Sequence, residues 1–324
     1  MTIKKILIGA ALVVVGLPVT LIAIVAVSIF MLNRTNGTIV TSGVTRKYLL
    51  HIPPGYDSAR PTPLVISLHG VAGWPAQQMN TSRWDRLADE QGFIVVYPSG
   101  TDHPRMWHVE RGEGLRRDVT FISDLIDALE KSYNIDPARI YANGLSNGGG
   151  MAFVLSCTLS NRIAAVGMVA AAETLPWDWC TDPRPVPMIA FHGTADPMVP
   201  YDGGLPTGRL APSRFEPHAE PFPAVREWTA SWARRNRCGP DPADTVVAPD
   251  VTRREYGGCA DDAAVVLYTI KGGGHSWPGG KPLPKWMVGP TSDSVDATAE
   301  MWKFFRGHPL RAAKTAGRSD VTSR

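Results

Sequence analysis

Cysteine is scarce in this chain: only 4 occur among 324 residues, and no pair has the Cys-x-x-Cys spacing of zinc and redox sites. None stands at a turn between a strand and a helix, where a catalytic cysteine would be expected. Charge is also scarce, at 19% of residues, and the net charge of +3 comes from intermixed acids and bases. That balance argues against a nucleic-acid partner. No internal repeat is present, which argues against solenoid and propeller folds. We predict no metal and no cofactor.

A long uncharged segment is present near the N-terminus. Lys4 and Lys5 precede an uninterrupted uncharged run over residues 6–32. At about 1.5 Å per residue, a helix of that run would span on the order of 40 Å, which is enough to cross a bilayer. The core of a signal peptide is usually shorter, about 7–15 residues. We therefore expect residues 1–35 to form a membrane signal anchor. The alternative is a cleaved signal peptide and a secreted protein.

The remaining chain has the pattern of one large α/β domain over residues 36–309. Strand-like apolar runs, such as residues 46–52 and 93–97, are interspersed with segments that have one apolar helical face, such as residues 118–133. Residues 310–324 are basic and rich in small side chains, so we expect a disordered tail there.

The most informative motif is Gly144-Leu145-Ser146-Asn147-Gly148, a G-x-S-x-G pentapeptide. The preceding residues are typical of a short buried strand, and the following residues are typical of a helix. A serine at such a junction forms a nucleophile elbow, in which a strained turn exposes the hydroxyl group. The N-terminus of the helix then points at the reaction centre. We predict Ser146 as a nucleophile.

A serine nucleophile needs a general base, and histidine usually fills that role. In hydrolases that carry this elbow, the chain order is serine, acid, histidine. His275 follows Ser146 and lies in a Gly-rich loop directly after the strand-like run 264–270, so its ring can bend over the site. We predict His275 as the base. The other histidines after the elbow are His192, His218 and His308.

The acid that orients the base should follow a strand between these two residues. Residues 187–192 are typical of an apolar strand, which runs into a glycine turn and ends at Asp196. Pro197 stiffens the exit from that turn. We predict that Asp196 orients His275. Glu173 is the rival, because it follows the strand-like run 165–170.

Two backbone N–H groups should stabilise the negative charge that develops on the substrate oxygen. One is expected from Asn147, the residue after the nucleophile, and the other from a turn that follows an earlier strand. In this chain that turn follows the strand-like run 63–68, and Gly70 or Val71 would donate. We expect His69 to be a structural hydrogen-bonding residue.

Four motifs together resemble one known family. They are Leu-His-Gly at 68–70, Gly-Leu-Ser-Asn-Gly-Gly at 144–149, His-Gly-Thr-Ala-Asp at 192–196 and Gly-Gly-His-Ser-Trp-Pro-Gly at 273–279. From about residue 44 to about residue 308, the chain is similar to the polyhydroxybutyrate depolymerase and feruloyl esterase group of the α/β-hydrolases. The resemblance implies a mostly parallel central sheet with helices on both faces, preceded by one N-terminal hydrophobic helix. It also implies that Ser146, Asp196 and His275 match the family's catalytic triad.

The resemblance also bears on the cysteines and the substrates. Four cysteines allow three pairings. The family pattern implies Cys157 with Cys180 and Cys238 with Cys259, in an extracytoplasmic enzyme that acts on esters of hydroxy acids or aromatic acids. Many depolymerases that attack solid polymer carry a separate binding module, for which this sequence has no room. We therefore expect soluble short esters to be the substrates.

Tryptophans are expected to line the substrate site. Trp277 follows His275 closely, and Trp107 and Trp74 lie in loops that could face the site. Indole rings suit flat or apolar acyl groups through stacking and buried area. The Pro-rich segment 202–223 has no periodicity and is expected to border the site as a flap. The alternative functions are a general carboxylesterase or peptidase, and a non-catalytic binding protein on the same fold.

Overall fold

Apolar strand sequences assemble into a central sheet in the computed structural model, which describes residues 31, 33–180, 182, 184–208 and 220–311. The strands of this part are, in chain order, β1 (Gly37–Thr41), β2 (Val44–His51), β3 (Thr62–Leu68), β4 (Ile94–Pro98), β5 (Ile135–Leu145), β6 (Ala165–Val169), β7 (Met188–Gly193), β8 (Ala243–Ala248), β9 (Val251–Tyr256) and β10 (Val265–Ile270). The helices are α1 (Pro75–Ser82), α2 (Trp84–Gln91), α3 (Glu113–Ser132), α4 (Asn147–Thr158), α5 (Val225–Arg235), α6 (Lys285–Val288) and α7 (Ala297–Arg306).

The strands follow the order β1-β2-β4-β3-β5-β6-β7-β10-β9-β8 across the sheet. The central strands, from β4 to β10 in that order, run parallel to one another. Antiparallel pairs extend the sheet at both edges. This arrangement confirms the predicted α/β-hydrolase fold. The carboxyl ends of the parallel strands meet at one edge, which is where open sheets of this kind bind their ligands.

Apolar side chains on the two faces of the sheet form two cores. Every residue of β3 is buried, as expected for a parallel strand covered on both faces. On one face, Ile66 of β3 packs in a cluster with Phe153 of α4, and that cluster also includes residues of α3 and α5. On the other face, Val65 of β3 packs in a cluster with Trp84 of α2 and Phe305 of α7. Helices therefore cover both faces, as the family resemblance implies.

The predictions for the two ends of the chain fall mostly outside the described residues. The hydrophobic helix expected within residues 1–35 and the tail expected over residues 310–324 are both largely in those parts. Within the described ranges, no helix is long and apolar enough to cross a membrane. In the described part of the chain, the first strand begins at Gly37 and the last helix ends at Arg306.

Two disulfide bonds join Cys157 to Cys180 and Cys238 to Cys259, the pairing that the family resemblance implies. The first bond ties the end of α4 to the segment that follows β6. The second ties the residues after α5 to the turn before β10. Disulfide bonds persist in oxidising compartments and are rare in the cytosol. The two bonds therefore fit an extracytoplasmic location.

Candidate active site

The predicted nucleophile lies on a sharp turn between β5 and α4. Ser146 has φ 55° and ψ −124°, a left-handed backbone conformation that a residue with a side chain rarely adopts. Its N–H donates to the carbonyl of Val169 in β6 at 2.8 Å, and its own carbonyl accepts from the N–H of Gly150 at 3.0 Å. The surrounding hydrogen bonds hold the strained residue in place, and its side chain is only half-buried. This is the geometry expected for a nucleophile elbow.

Glycines flank the turn because no side chain fits there. A Cβ atom at Gly144 would collide with the backbone of Gly148 one turn later. A Cβ atom at Gly148 would collide with the carbonyl groups of Leu68 and His69 at the end of β3. The small residues therefore allow α4 to approach β3 closely. Because β3 ends there, the elbow lies directly against the turn that follows it.

The predicted acid and base are in hydrogen-bond contact. His275 Nδ1 lies 2.8 Å from Asp196 Oδ2 and 3.1 Å from Asp196 Oδ1. The side chain of Asp196 is 0% exposed, and that of His275 is 9% exposed. Since a carboxylate only accepts, Nδ1 carries the proton and Nε2 is left as the basic nitrogen. The carboxylate also accepts from the N–H groups of Met198 at 2.8 Å and Val199 at 2.9 Å.

The electrostatics of this pair favour an ionised acid. Burial alone would raise the pKa of Asp196, but the charge and hydrogen bond of His275 outweigh it, with further help from His192 and the Val199 N–H. The pKa of Asp196 is therefore held below its usual value. An ionised carboxylate can both fix the orientation of the imidazole ring and stabilise it when protonated.

Two loops bring this pair together across the sheet. The loop after β7 carries Asp196, and the loop after β10 carries His275. The N–H of Ala195 donates to the carbonyl of Gly273 at 2.9 Å, and a Cβ atom at Gly193 would collide with the Gly273 backbone. A side chain at Gly193 would therefore prevent these two loops from packing together.

The rival residues lie elsewhere or have other partners. His192 Nε2 lies 3.5 Å from Asp196 Oδ2, but this nitrogen donates to the carbonyl of Val199 at the shorter distance of 2.8 Å, and the residue is 2% exposed. His308 interacts with the carbonyl of Phe304 at 2.7 Å, and His218 lies outside the described residues. Burial raises the pKa of Glu173 to about 7, and the groups that interact with this carboxyl are Trp177 and Arg234 rather than a histidine. In the part of the chain that the structure describes, His275 therefore pairs with Asp196 and not with Glu173.

The predicted oxyanion donors lie next to the predicted nucleophile. A Cβ atom built on Gly70 would lie 3.4 Å from Ser146 Cβ, so the turn after β3 runs alongside the serine. The N–H groups of Val71 and Asn147 have no hydrogen-bond acceptor among the described residues. Two free N–H groups near one nucleophile suit a substrate oxygen that becomes negatively charged.

A loop over residues 99–109 braces both predicted oxyanion donors, which the sequence did not indicate. The side-chain amide of Asn147 accepts from the N–H of Trp107 at 2.7 Å and donates to its carbonyl at 2.9 Å. In the same loop, the carbonyl of Arg105 accepts from the N–H of Ala72 at 2.7 Å. One loop thus holds the residue after the nucleophile and the turn after β3 at a fixed separation.

His69 completes this brace as a neutral residue. Its Nδ1 donates to the carbonyl of Gly70 at 2.7 Å, and its Nε2 accepts from the N–H of Gly100 at 2.9 Å. Burial lowers the pKa of His69 to about 4, and the positive charge of Arg105 adds to this lowering. With both nitrogens engaged and no charge at neutral pH, His69 holds the loops together, as predicted for a structural residue.

We expect Asn147→Ala to slow catalysis more than it weakens substrate binding. The change removes both hydrogen bonds to Trp107, so the backbone N–H of residue 147 loses its fixed direction. Oxyanion bonds strengthen in the transition state, so kcat should fall about 10–100-fold while KM changes little. Steady-state kinetics with p-nitrophenyl butyrate measures kcat and KM separately.

A matched control exists at the far edge of the sheet. The side-chain amide of Asn36 makes the same pair of hydrogen bonds with the backbone of Leu50: it donates to the carbonyl at 2.8 Å and accepts from the N–H at 2.7 Å. Asn36→Ala should leave kcat nearly unchanged. Equal losses of kcat in the two variants, or an effect of Asn147→Ala on KM alone, would contradict a positioning role for Asn147.

The predictions that Trp277 and Trp107 bind the substrate are wrong. Trp277 is 1% exposed, and its Nε1 donates to Thr298 Oγ1 of α7 at 2.9 Å, so its ring packs in the core. Trp107 is 0% exposed, and its Nε1 donates to the carbonyl of His69 at 3.1 Å. Neither ring can stack on a substrate because neither has a free face. Trp74 is half-buried and remains a candidate.

The predicted flap begins beside the acid. The N–H groups of Thr207 and Gly208 donate to the carbonyl of Pro197 at 2.9 Å and 2.8 Å. Gly204 and Phe222 pair as an isolated antiparallel bridge, which closes the base of the segment. Residues 209–219 of the predicted flap lie outside the described part.

Comparison with known proteins places the chain in a group of esterases. The family model "Esterase PHB depolymerase" matches residues 46–173. Feruloyl esterase B of Piromyces equi is 31% identical over 241 residues, which cover 73% of this chain and 44% of that protein. Feruloyl esterase C of Emericella nidulans is 29% identical over 278 residues, which cover 84% of this chain and 87% of that protein.

Similarity to a solved structure supports the fold, and only the fold. The acetyl xylan esterase from Aspergillus awamori superposes with a TM-score of 0.60 at 15% identity, covering 83% of this chain and 98% of that one. Some curated relatives are much longer proteins: the chain spans 44% of the Piromyces enzyme and 31% of a bifunctional acetylxylan esterase/xylanase of Neocallimastix patriciarum. From its fold, its site geometry and these similarities, the chain belongs to the polyhydroxybutyrate depolymerase and feruloyl esterase family of the α/β-hydrolases.

Proposed function

We propose that this protein is an extracytoplasmic serine ester hydrolase that cleaves short hydroxyalkanoate or hydroxycinnamoyl esters. The observation that carries the proposal is the strained Ser146 beside the Gly70 turn, together with the buried contact between Asp196 and His275 at 2.8 Å. These are the parts that acyl transfer needs: a nucleophile, an oriented base and donors for an oxyanion.

Acylation begins with attack of Ser146 Oγ on the ester carbonyl carbon. His275 Nε2 takes the hydroxyl proton, and the carboxylate of Asp196 stabilises the imidazolium that forms. The negative charge moves to the carbonyl oxygen, which accepts from the N–H groups of Asn147 and of the Gly70–Val71 turn. The tetrahedral intermediate then collapses. The bond to the leaving oxygen breaks, and His275 delivers the proton to the alcohol.

Deacylation repeats these steps with water. His275 removes a proton from the water as it attacks the acyl-enzyme, and the same N–H groups hold the second oxyanion. Collapse releases the carboxylic acid and returns the proton to Ser146. The enzyme therefore ends the cycle unchanged.

The substrate class is proposed from the relatives and the site's surface. Two of the relatives described above are named as feruloyl esterases, which supports an aromatic acyl group. Val71, which is 48% exposed, and the half-buried Trp74 offer apolar surface next to the oxyanion turn. Such surface suits a flat or apolar acyl group.

The domain organisation and location are part of the same proposal. Residues 36–309 form the catalytic unit, and residues 1–35 direct it out of the cytoplasm. Those residues remain as a membrane anchor if they are not cleaved. The two disulfide bonds support this location because they need an oxidising compartment.

A panel of soluble substrates tests the proposed function on the full-length protein purified in detergent. Methyl ferulate, the dimer of 3-hydroxybutyrate and p-nitrophenyl butyrate should be hydrolysed, whereas a polyester film should release monomers slowly. Peptides with the same acyl groups measure amidase activity, and the Ser146→Ala variant gives the background. Peptide cleavage that outpaces ester cleavage would indicate a peptidase. Absence of any hydrolysis above background would indicate a binding protein.

A further inference from the structure

Arg105 is a half-buried cation whose side chain has no partner among the described residues, and it lies in the loop that braces the predicted oxyanion donors. Within the described ranges, every other arginine that is not exposed has a hydrogen bond or ion pair from its side chain. Those arginines are Arg46, Arg83, Arg139, Arg162, Arg184, Arg235, Arg253 and Arg254. The guanidinium nitrogens of Arg105 are not among the fully enclosed, unpaired polar atoms, so an incoming group can reach them.

Leaving the positive charge of Arg105 unpaired is unfavourable in free energy. Burial lowers the pKa of Arg105, and no neighbouring carboxylate offsets the effect. The carboxylate that is nearest in sequence, Asp102, already lies 2.9 Å from His108 Nε2. A partly desolvated guanidinium loses hydration that an anion would replace. The arginine is thus arranged to receive an anion that the described part of the chain does not supply.

The position of Arg105 links it to the reaction centre. Its carbonyl accepts from the N–H of Ala72 at 2.7 Å, in the same turn as Gly70 and Val71. Gly70 in turn lies against Ser146. The guanidinium charge acts on His69, the residue directly before Gly70, which places that charge beside the oxyanion turn.

We infer that Arg105 is a specificity-determining residue that binds a carboxylate on the substrate. The inference rests on the proposed esterase function and narrows its substrate class. A guanidinium binds a carboxylate through two parallel hydrogen bonds, so it recognises this group better than a neutral ester. Oligomers of hydroxy acids meet this requirement, because the alcohol part that leaves carries a free carboxylate. Simple alkyl esters do not.

A pair of substrates with the same scissile bond tests the inference. The dimer of 3-hydroxybutyrate has a free carboxylate, and its methyl ester lacks one. Arg105→Gln should raise KM for the dimer about 10–100-fold, as expected for the loss of a charge-assisted hydrogen-bonded pair, and leave KM for the methyl ester nearly unchanged. Arg105→Lys should retain part of the preference for the dimer that Arg105→Gln loses. Lysine keeps the positive charge but cannot form the two parallel hydrogen bonds of a guanidinium group.

Arg116→Gln is the matched control. Arg116 is an exposed arginine in the first turn of α3, and its side chain has no hydrogen bond or ion pair within the described ranges. Its replacement by glutamine makes the same change in net charge. It should retain the wild-type preference for the dimer. Equal losses on both substrates in Arg105→Gln, or the same loss in Arg116→Gln, would overturn the inference.

A measurement on the wild-type protein does not depend on whether the variant folds. Free 3-hydroxybutyrate should inhibit hydrolysis of p-nitrophenyl butyrate at least about tenfold more strongly than its amide does. Equal inhibition by the two compounds would also overturn the inference. Hydrolysis of p-nitrophenyl butyrate and labelling by a fluorophosphonate are followed in the same samples. If both are normal while the preference for a carboxylate is missing, the inference fails and the esterase function stands.

Discussion

Replacing Ser146 with alanine should abolish covalent labelling by a fluorophosphonate and reduce kcat by roughly 10⁴–10⁶-fold, the range seen when a triad serine is removed. The loss is large because the side-chain oxygen is the atom that forms the acyl-enzyme. The backbone at this residue is strained, with φ 55°, and such strain is typical of functional sites. Mass spectrometry of the labelled peptide and hydrolysis of p-nitrophenyl butyrate measure the two effects.

Ser156 provides the control for this experiment. It lies in α4, the helix that follows Ser146, is buried, and donates from Oγ to the carbonyl of Phe153 at 2.7 Å. Ser156→Ala removes a hydroxyl group from α4 without touching the elbow, so labelling and kcat should be retained. Normal labelling of Ser146→Ala, or a label found on another residue, would end the assignment of Ser146 as the nucleophile.

Asp196→Asn should reduce kcat by about 10³–10⁴-fold, because it disturbs the tautomer of His275. The carboxylate now accepts from Nδ1, which leaves Nε2 free to take the serine proton. An amide N–H in the same place would donate to Nδ1 and leave the proton on Nε2. The ring would then be held in position but unable to act as a base. The kcat of the purified variant measures the effect, and its fluorophosphonate labelling rate should fall in parallel.

The Glu173→Gln variant tests whether Asp196 or Glu173 is the acid that orients His275. Both changes replace a carboxylate with an amide of the same shape, and both sites are at least half-buried. Burial raises the pKa of Glu173 to about 7, and among the described residues this carboxyl group interacts with Trp177 and Arg234, not with His275, so its replacement should have little effect on kcat. A larger loss of kcat in Glu173→Gln than in Asp196→Asn would show that the acid has been assigned wrongly.

Local sequence patterns were sufficient for the elements that end at the site. A buried strand, a sharp turn and a helix can be recognised in about 15 consecutive residues, because strand and helix periods and glycine turns are local properties. Ser146, Asp196 and His275 each follow such a strand. In a parallel sheet the carboxyl ends of strands converge, so residues distant in sequence are expected to meet. The contact between Asp196 and His275 agrees with that expectation.

Residues whose environment is set by distant segments were predicted less well. Trp277 lies two positions from His275, yet its ring packs against α7 because Thr298 supplies the partner for its N–H. Nothing in the neighbouring sequence indicates this contact. Helix α3 starts at Glu113, five residues before the predicted start, and buries Leu115 in its first turn against the core. Packing thus extends a helix beyond the segment that its own periodicity marks.

The sequence by itself determined the fold class, the elbow at Ser146 and the residues that could complete a triad, because each depends on a short pattern of apolar spacing, glycine and proline. Only the tertiary structure decided which loops meet. It joined Cys157 to Cys180, buried Trp107 and Trp277, and brought residues 99–109 across both oxyanion donors. It also left the side chain of Arg105, beside the turn after β3, without a partner in the part of the chain that the structure describes. Hydrogen bonding and burial between distant segments depend on the arrangement of the whole sheet, which no short stretch of the chain specifies.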